Sequence, residues 1–434
     1  MKQLLIISYY WPPSGGIGVL RCLKYAKYLS KLDWDITVFT VKDGQYPYID
    51  HSNDKDVPEN IKVIRSKIWE PYSIYKFISG KKKDENVNNV FSTSNSKRGF
   101  IYNFSVWIRS NFFIPDARAK WIKPSVKYLT KYLKENPVDL ILSNGPPHSN
   151  TRIACLLKIK FGIPWHADFQ DPWSQVDYFS QLRLTKHGRK KHLEMEQEVF
   201  INADSISIVS PSWKKDLESI GAKNVEVIEW GFDEDNYVNL KRIPDLKFSI
   251  SHIGILGFDR NPKIFLNVIK DLCTQNKEFR KYFEFKIIGE LDLSIKHEIQ
   301  KLKLEKHVSY VRSLSRKDAL QEAINSQILL LLLNQQPNAK GRIPGKLFEY
   351  LAVKRPIIVL GPGECDSGNI VLETNSGINL KYDDYAGIKS SMLKSFRKFK
   401  QNTLEVNQKG LEKYTNKSLV AKLNSNCLKK ALKI

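Results

Sequence analysis

The stretch richest in chemistry begins at Asn334, where an aliphatic run ends in a polar loop. It continues as Gly341-Arg342-Ile343-Pro344-Gly345-Lys346-Leu347-Phe348-Glu349-Tyr350-Leu351-Ala352. Pro344 and Gly345 suit the start of a helix, whose free N–H groups and positive dipole end attract an anion such as a diphosphate. Lys346 adds a full positive charge there. Glu349, one turn further in, can accept two hydrogen bonds from vicinal hydroxyls, as on a ribose. A carboxylate beside a phosphate site makes sense when it reads a sugar, so Gly345, Lys346, Leu347 and Glu349 are expected to contact a nucleotide-sugar.

A second constellation closes two β-type runs. Asn144-Gly145-Pro146-Pro147-His148-Ser149 follows one, and His166-Ala167-Asp168-Phe169-Gln170-Asp171-Pro172-Trp173 ends the other. Ligands of open α/β sheets bind outside the carboxyl ends of the strands. Asp168, Asp171 and His148 therefore point to substrate-hydroxyl contacts or acid/base groups. Helix capping by Asp171 and Ser149 is the other reading.

The first strand runs into Tyr9-Tyr10-Trp11-Pro12-Pro13-Ser14-Gly15-Gly16-Ile17-Gly18 and then a helix. Glycines at such a turn let backbone approach a ligand closely, so Gly15 and Gly16 join the expected donor contacts, with a plain tight turn as the alternative. No Gly-Lys-Ser/Thr follows and no G-x-G-x-x-G is present, which excludes a P-loop and weakens a dinucleotide reading. Asp233-Glu234-Asp235 looks like a metal-binding D-x-D, but it sits in a Gly-Phe turn where such residues cap helices. His187 and His192 miss a common helical face, and no metal site is expected.

Positioning these groups falls to short β-type runs that alternate with helical stretches. One series of expected strands is Leu4–Ser8, Asp35–Thr40, Ile61–Arg65, Val138–Ser143, Ile163–Phe169, Ser205–Val209 and Val225–Glu229. After Ile243-Pro244-Asp245 comes a second, Phe248–Ile255, Phe283–Ile288, Val308–Val311, Ile328–Leu333 and Ile357–Leu360. This alternation argues an α/β chain of two doubly wound domains with parallel sheets.

The chain has 434 residues, 42% hydrophobic and 26% charged, an ordinary globular composition. Lys plus Arg number 69 against 46 Asp plus Glu, for a net charge of +23. That balance favours nucleic acid, an anionic membrane surface or phosphorylated small molecules. No nucleic-acid-binding module accompanies the charge, so no nucleic acid is expected as partner. Five scattered cysteines without a C-x-x-C pair argue against disulfides and zinc, and for a reducing cytosol. Ile328–Leu333 is far short of the ~20 residues that span a bilayer. Leu4–Ile7 is likewise too short for a signal-peptide core.

Two regions break the rhythm. Residues 79–99, with Lys81-Lys82-Lys83 and many Asn and Ser, read as a surface loop. Phe100–Lys123 interleaves Tyr102, Phe104, Trp107, Phe112, Phe113 and Trp121 with Arg109, Arg118, Lys120 and Lys123. The mixture suits a membrane interface or a sugar-binding groove, or else a core helix with basic flanks. Ser418–Ile434 spaces Leu419, Leu423, Cys427 and Ala431 as in an amphipathic closing helix.

In order and spacing these motifs resemble the GT-B glycosyltransferases of family 4, especially the branch that builds bacterial envelope and capsular polysaccharide. The likeness covers nearly the whole chain. It rests on Gly15-Gly16, Ile114-Pro115-Asp116 before Trp121, Pro146-Pro147-His148, Asp168–Trp173 and Ser210-Pro211. Further on it rests on Trp230-Gly231-Phe232-Asp233, Ile253-Gly254 with Arg260-Asn261-Pro262, and Pro344–Glu349.

The resemblance implies two Rossmann-like domains facing a central cleft. An acceptor-binding domain would span 1–243 and a nucleotide-sugar-binding domain 244–410, with a C-terminal helix over 411–434 crossing back to the first. It implies a retaining, metal-independent hexosyltransferase without a cofactor. Such an enzyme moves a sugar from a UDP- or GDP-linked donor to a glycan or lipid-linked acceptor. The expected place is the cytoplasm, peripheral at the inner face of the cell membrane, with an anionic membrane surface as partner.

Glu349 matches the second Glu of the family's Glu-x7-Glu donor motif. The first falls at Gly341 and is missing, which leaves Asn338 or another loop group to meet the donor sugar. Arg260 matches one member of the family's basic pair for the diphosphate, and Lys346 compensates for the other. Gln170 stands where the Asp-Phe-x-Asp-Pro-Trp branch commonly has Arg. Asp168, Asp171 and His148 are the expected catalytic residues, and Asp116, Arg118, Trp107 and Trp121 the expected acceptor or membrane contacts. Two other readings stay open: a GT-B sugar-nucleotide epimerase, which gives region 100–123 no role, and a catalytically silent scaffold of a polysaccharide-assembly complex.

Overall fold

Aliphatic runs buried on both faces become the central strands of parallel sheets, and half-buried ones become the edges. The computed structural model follows this rule and describes residues 1–46, 48–70, 100–177, 179–312 and 314–433. Lys81-Lys82-Lys83 and the loop expected over 79–99 lie outside the described residues. Among those residues the chain divides into one unit of 1–229 with 416–433 and another of 230–415. Ile243-Pro244-Asp245, the seam expected from the sequence, lies inside the second unit.

The first unit opens with β1 (Lys2–Ile7), α1 (Ile17–Leu29), β2 (Trp34–Lys42) and β3 (Lys62–Lys67). Next come α2 (Phe100–Phe112), α3 (Ala119–Glu135), β4 (Leu140–Gly145), α4 (His148–Phe161) and β5 (Trp165–Phe169). It continues with α5 (Lys186–Asn202), β6 (Ser205–Ile208), α6 (Pro211–Ser219) and β7 (Val225–Val227). The seven strands pair in parallel in the order β3-β2-β1-β4-β5-β6-β7. Ser210 caps α6 by accepting from the Trp213 N–H, and Pro211 fills the first helical position, where no N–H is needed.

The second unit holds β8 (Phe248–Ile253), α7 (Lys263–Gln275), α8 (Lys277–Tyr282), β9 (Phe283–Ile288), α9 (Leu293–Lys301) and β10 (Val308–Val311). It goes on through α10 (Arg316–Asn325), β11 (Ile328–Leu332), α11 (Lys346–Ala352), β12 (Ile357–Gly361), α12 (Asp366–Glu373), β13 (Gly377–Lys381) and α13 (Tyr385–Lys400). Its six strands are also parallel, in the order β10-β9-β8-β11-β12-β13. β13 has no counterpart in the sequence reading, because a half-buried edge strand with Ile378 and Leu380 alone makes no aliphatic run.

The closing segment, α14 (Asn416–Leu423) followed by a π-helical turn over Asn424–Leu428, belongs to the first unit. Leu423, Cys427 and Ala431 pack there with Cys22, Ala26, Trp34 and Ile36.

Strand order reverses between β1 and β4 in the first unit and between β8 and β11 in the second. At such a point neighbouring loops diverge and leave a crevice. The loops after β1 and β4 carry Gly15-Gly16 and Pro146-Pro147-His148. Those after β8 and β11 carry Gly254–Arg260 and the segment leading to Lys346.

Candidate functional site

In the first unit, α4 starts at His148 behind Pro147, and neither supplies a side-chain cap. Asp116 caps the helix from a distant loop: its carboxylate accepts from the Ser149 N–H and the Ser149 hydroxyl, each at 2.8 Å. An acid at the positive end of a helix is favourable. Ile114-Pro115-Asp116 and Pro146-Pro147-His148-Ser149 are thus one structural unit, which half-buried Asp116 holds together. Ser149 lies inside the helix and does not cap it.

His148 is buried and stacked on Trp173, with ring centroids 4.4 Å apart and 8° between planes. Phe169 lies 5.7 Å away, and the Trp173 Nε1–H donates to His192 Nδ1 at 3.0 Å. Burial, then the neighbouring His192, pushes His148 down to about 3. The imidazole is therefore neutral at physiological pH, and its Nδ1 has no hydrogen-bond partner among the described residues. Asp171, just past the strand end, is half-buried.

Asp168 occupies a different environment. It is completely buried and accepts from Arg21 Nε at 2.8 Å and Nη2 at 2.7 Å. Tyr25 Oη at 3.1 Å, Asn144 Nδ2 at 2.6 Å and Ser207 Oγ at 2.6 Å complete its shell. Arg21 reaches on to the carbonyls of Ile228 and Glu229 at 2.8 and 2.9 Å. Burial alone raises the Asp168 carboxyl, but the Arg21 charge and the hydrogen bonds from Arg21 and Ser207 outweigh it and hold it below the usual range. A carboxylate has about four lone-pair sites, and these are filled. Asp168 holds α1, β4, β5, β6 and the exit of the unit together, and it is closed to substrate. Gln170 joins the network through the Asn144 side chain.

Trp121 and Arg118 are corrections to the surface role expected of them. Trp121 is completely buried, stacked on Phe39 at 5.5 Å, and donates its Nε1–H to Ser66 Oγ at 2.7 Å. Arg118 lies over the Tyr9 ring at 4.8 Å and pairs with Glu70 at 3.4 Å. Of the four expected contacts, Trp107 alone adjoins an open aromatic face: it stacks on Phe104 and meets Phe112 edge-on. Phe104 and Phe112 are 51% and 68% exposed. Gly15 serves an internal contact, since its N–H donates to the Tyr48 carbonyl at 2.8 Å and the Tyr48 ring fills the space a Cβ would need. Gly16, at φ 92°, leads into α1.

The second unit brings four of the five expected donor residues there into one cluster. Gly254 turns out of β8 at φ 109°, and a Cβ on it would lie 2.8 Å from Lys346 Nζ. The ammonium thus rests on the glycine of the opposite loop. Burial lowers Lys346 to about 7, with Arg260 and Arg342 adding to the shift and Glu349 opposing it. Arg260, on the 3-10 turn after Gly257, pairs with Asp259 at 3.4 Å. Arg260 and Arg342 thus both act on Lys346, and a bound anion would offset that repulsion.

Leu347 is the exception. Its side chain is core, and its N–H is bonded to the Pro344 carbonyl at 2.9 Å, as that of Phe348 is to Gly345 at 3.1 Å. The short α11 closes on itself, so the positive potential comes from side chains more than from helix amides.

Glu349 Oε1 accepts from Arg316 Nε at 3.1 Å and Nη2 at 3.0 Å. Arg316 and the nearby Tyr237 carry no motif signal, and the sequence reading misses both. Asp233 is buried at the start of a 3-10 turn without capping it through its side chain, while Glu234 and Asp235 are exposed, so the three do not converge. Among the described residues no three His, Cys, Asp or Glu side chains are grouped to hold a metal ion. No helix among them is long and apolar enough to cross a membrane.

No family model matches the chain, and no curated protein matches it by sequence. Solved structures match it in fold. A sucrose-phosphate synthase of Thermosynechococcus elongatus is 12% identical with a TM-score of 0.60, over 99% of this chain and 97% of that one. TarM of S. aureus, solved with Fondaparinux, alpha-GlcNAc-glycerol and UDP, is 11% identical with a TM-score of 0.60, over 98% and 99%. The lipopolysaccharide outer core galactosyltransferase WaaB is 15% identical with a TM-score of 0.56, over 99% of both chains. At such identities the likeness shows the fold, two Rossmann-like α/β units of the GT-B kind.

Proposed function

We propose that the protein is a glycosyltransferase that uses a nucleotide-sugar donor. One observation carries this reading: at the strand switch point of the second unit, Lys346 lies against Gly254 of the loop that also carries Arg260, with Glu349 on the same helical turn. A departing nucleoside diphosphate gains negative charge, and cations fixed in advance stabilise it. The carboxylate one turn on accepts from a ribose diol. Likeness in fold to TarM, solved with UDP, and to the galactosyltransferase WaaB supports the reading.

The finer proposal is a retaining, metal-independent transfer to a glycan or lipid-linked acceptor in envelope polysaccharide synthesis. Lys346 and Arg260 supply the charge that a metal supplies elsewhere, and Asn338 takes the place of the acid missing at Gly341. In the first unit, His148 and Asp171 contact the acceptor at the ends of β4 and β5, and Asp168 positions that region. Exposed Phe104 and Phe112 fit peripheral attachment to an anionic membrane surface. Asn111 of the same helix accepts from the Thr185 N–H at 2.8 Å and so ties this face to the lysine-rich start of α5.

A thermal-shift screen over UDP-, GDP- and CMP-sugars tests the reading. Binding at a hundredfold excess over Kd stabilises by about 2.7 kcal/mol, a rise of several degrees. A melting temperature unmoved by all three classes contradicts it.

A further inference from the structure

Glu349 is one part of a larger polar cluster. Ser315 caps α10, and Arg316, the first residue of that helix, lays two N–H groups on a single oxygen of Glu349, Oε1. Oε2 receives no hydrogen bond among the described residues. Tyr237, on the turn after Asp233, packs against the core that includes Ala323 of α10 and Leu347 and Phe348 of α11, and the charges bearing on it are Glu349, Arg316 and Asp233. Its Oη is buried and has no hydrogen-bond partner among the described residues. A buried hydroxyl left unpaired is unfavourable, and it gains most when a ligand brings the missing partner.

We propose that Arg316 and Tyr237 complete a site for the ribose diol of a nucleoside diphosphate. In it Arg316 positions Glu349 so that Oε2 meets the diol, and Tyr237 Oη is a further contact to the same hydroxyls. The inference rests on reading Glu349 as the ribose carboxylate. A guanidinium fork on one oxygen restrains rotation of the carboxylate, so the accepting oxygen is oriented before ligand arrives. Lysine carries the charge without the fork and reproduces this only in part. Arg316 is a positioning residue, whereas Tyr237 touches the ligand itself.

Isothermal titration of the full chain with UDP and GDP, and with their 2′-deoxy and 3′-deoxy forms, reads this directly. The wild type binds the ribo form of its preferred base about tenfold more tightly than a deoxy form, the value of one hydrogen bond. Arg316→Gln brings that ratio close to one by weakening ribo binding, and Arg316→Lys retains part of it. Tyr237→Phe lowers it severalfold without lowering the melting temperature. In a Glu349→Ala background neither change adds its full effect.

If folded Arg316→Gln and Tyr237→Phe keep the wild-type ratio while Glu349→Ala loses it, the inference is wrong and the reading of Glu349 stands. If Glu349→Ala also keeps the ratio, or the wild type binds neither nucleotide, that reading falls and the inference with it. Should Arg316→Gln not fold, Arg316→Lys and Tyr237→Phe decide.

Discussion

Changing Asp168 to Asn keeps the side-chain shape and leaves the Arg21 guanidinium buried without a counter-charge. The two side chains are 0% and 2% exposed and meet at 2.7 Å. Removing one partner of a buried pair costs about 3–5 kcal/mol, because the remaining charge stays desolvated. For a unit of this size each kcal/mol moves the melting temperature by ~2–4 °C, so Asp168→Asn lowers it by roughly 6–20 °C. Arg21 keeps the Ile228 and Glu229 carbonyls, which limits the loss. The Asp168 carboxyl is held below its unfolded value. Its stabilisation is therefore present above the unfolded value of ~4 and lost only as pH falls through the lower folded one. The deficit should accordingly be constant between pH 5 and 8. Calorimetric melts of the wild type, Asp168→Asn, Arg21→Gln and the double variant check this, and the double should lose less than the sum of the singles. An Asp168→Asn variant that melts with the wild type but is inactive refutes the reasoning, because Asp168 would then act on substrate.

Burial, then the neighbouring Arg260, pushes Lys346 down to about 7. Diphosphate affinity, read by calorimetry from pH 6 to 9, should therefore weaken above pH ~7 by at most about tenfold per unit, as the cation is lost. The folded value lies below the unfolded ~10.4, so the unliganded protein gains stability from pH ~7 toward 10. Lys346→Met should melt higher than the wild type at pH 7 while losing donor affinity, and a flat pH profile would contradict both. EDTA should leave transfer rates unchanged and Asp235→Ala should be near silent; a strict need for Mn²⁺ or Mg²⁺ would move the diphosphate chemistry onto a metal. Phe104→Ser with Phe112→Ser should reduce sedimentation with anionic vesicles severalfold without affecting donor binding, and high salt should release the wild type. Equal sedimentation with neutral vesicles at every salt concentration would refute the electrostatic part.

Features that are local in sequence were the legible ones. Ile328–Leu332 and Ile357–Gly361 are continuous aliphatic strands, and Pro344-Gly345 marks the start of the helix that carries Lys346 and Glu349 in its first turn. What sequence distance hides is partnership: Arg316 meets Glu349 across 33 positions and Arg21 meets Asp168 across 147. Residue type likewise does not tell which aromatic side chains of a basic stretch are buried. Trp121 and Phe112 belong to the same aromatic and basic stretch, yet one is core and the other exposed. Asp168 and Asp171 are three apart in one motif, and the pleat and strand end separate them into a buried hub and a rim residue.

The central claim is that the second unit binds a nucleotide-sugar through Glu349 and the Lys346 cluster. Titration calorimetry of the wild type and of folded Glu349→Ala with the UDP- or GDP-sugar that stabilises the protein tests it most directly. Loss of a charge-assisted hydrogen bond predicts affinity about 10- to 100-fold weaker in the variant. Equal affinity in the two proteins would contradict the claim.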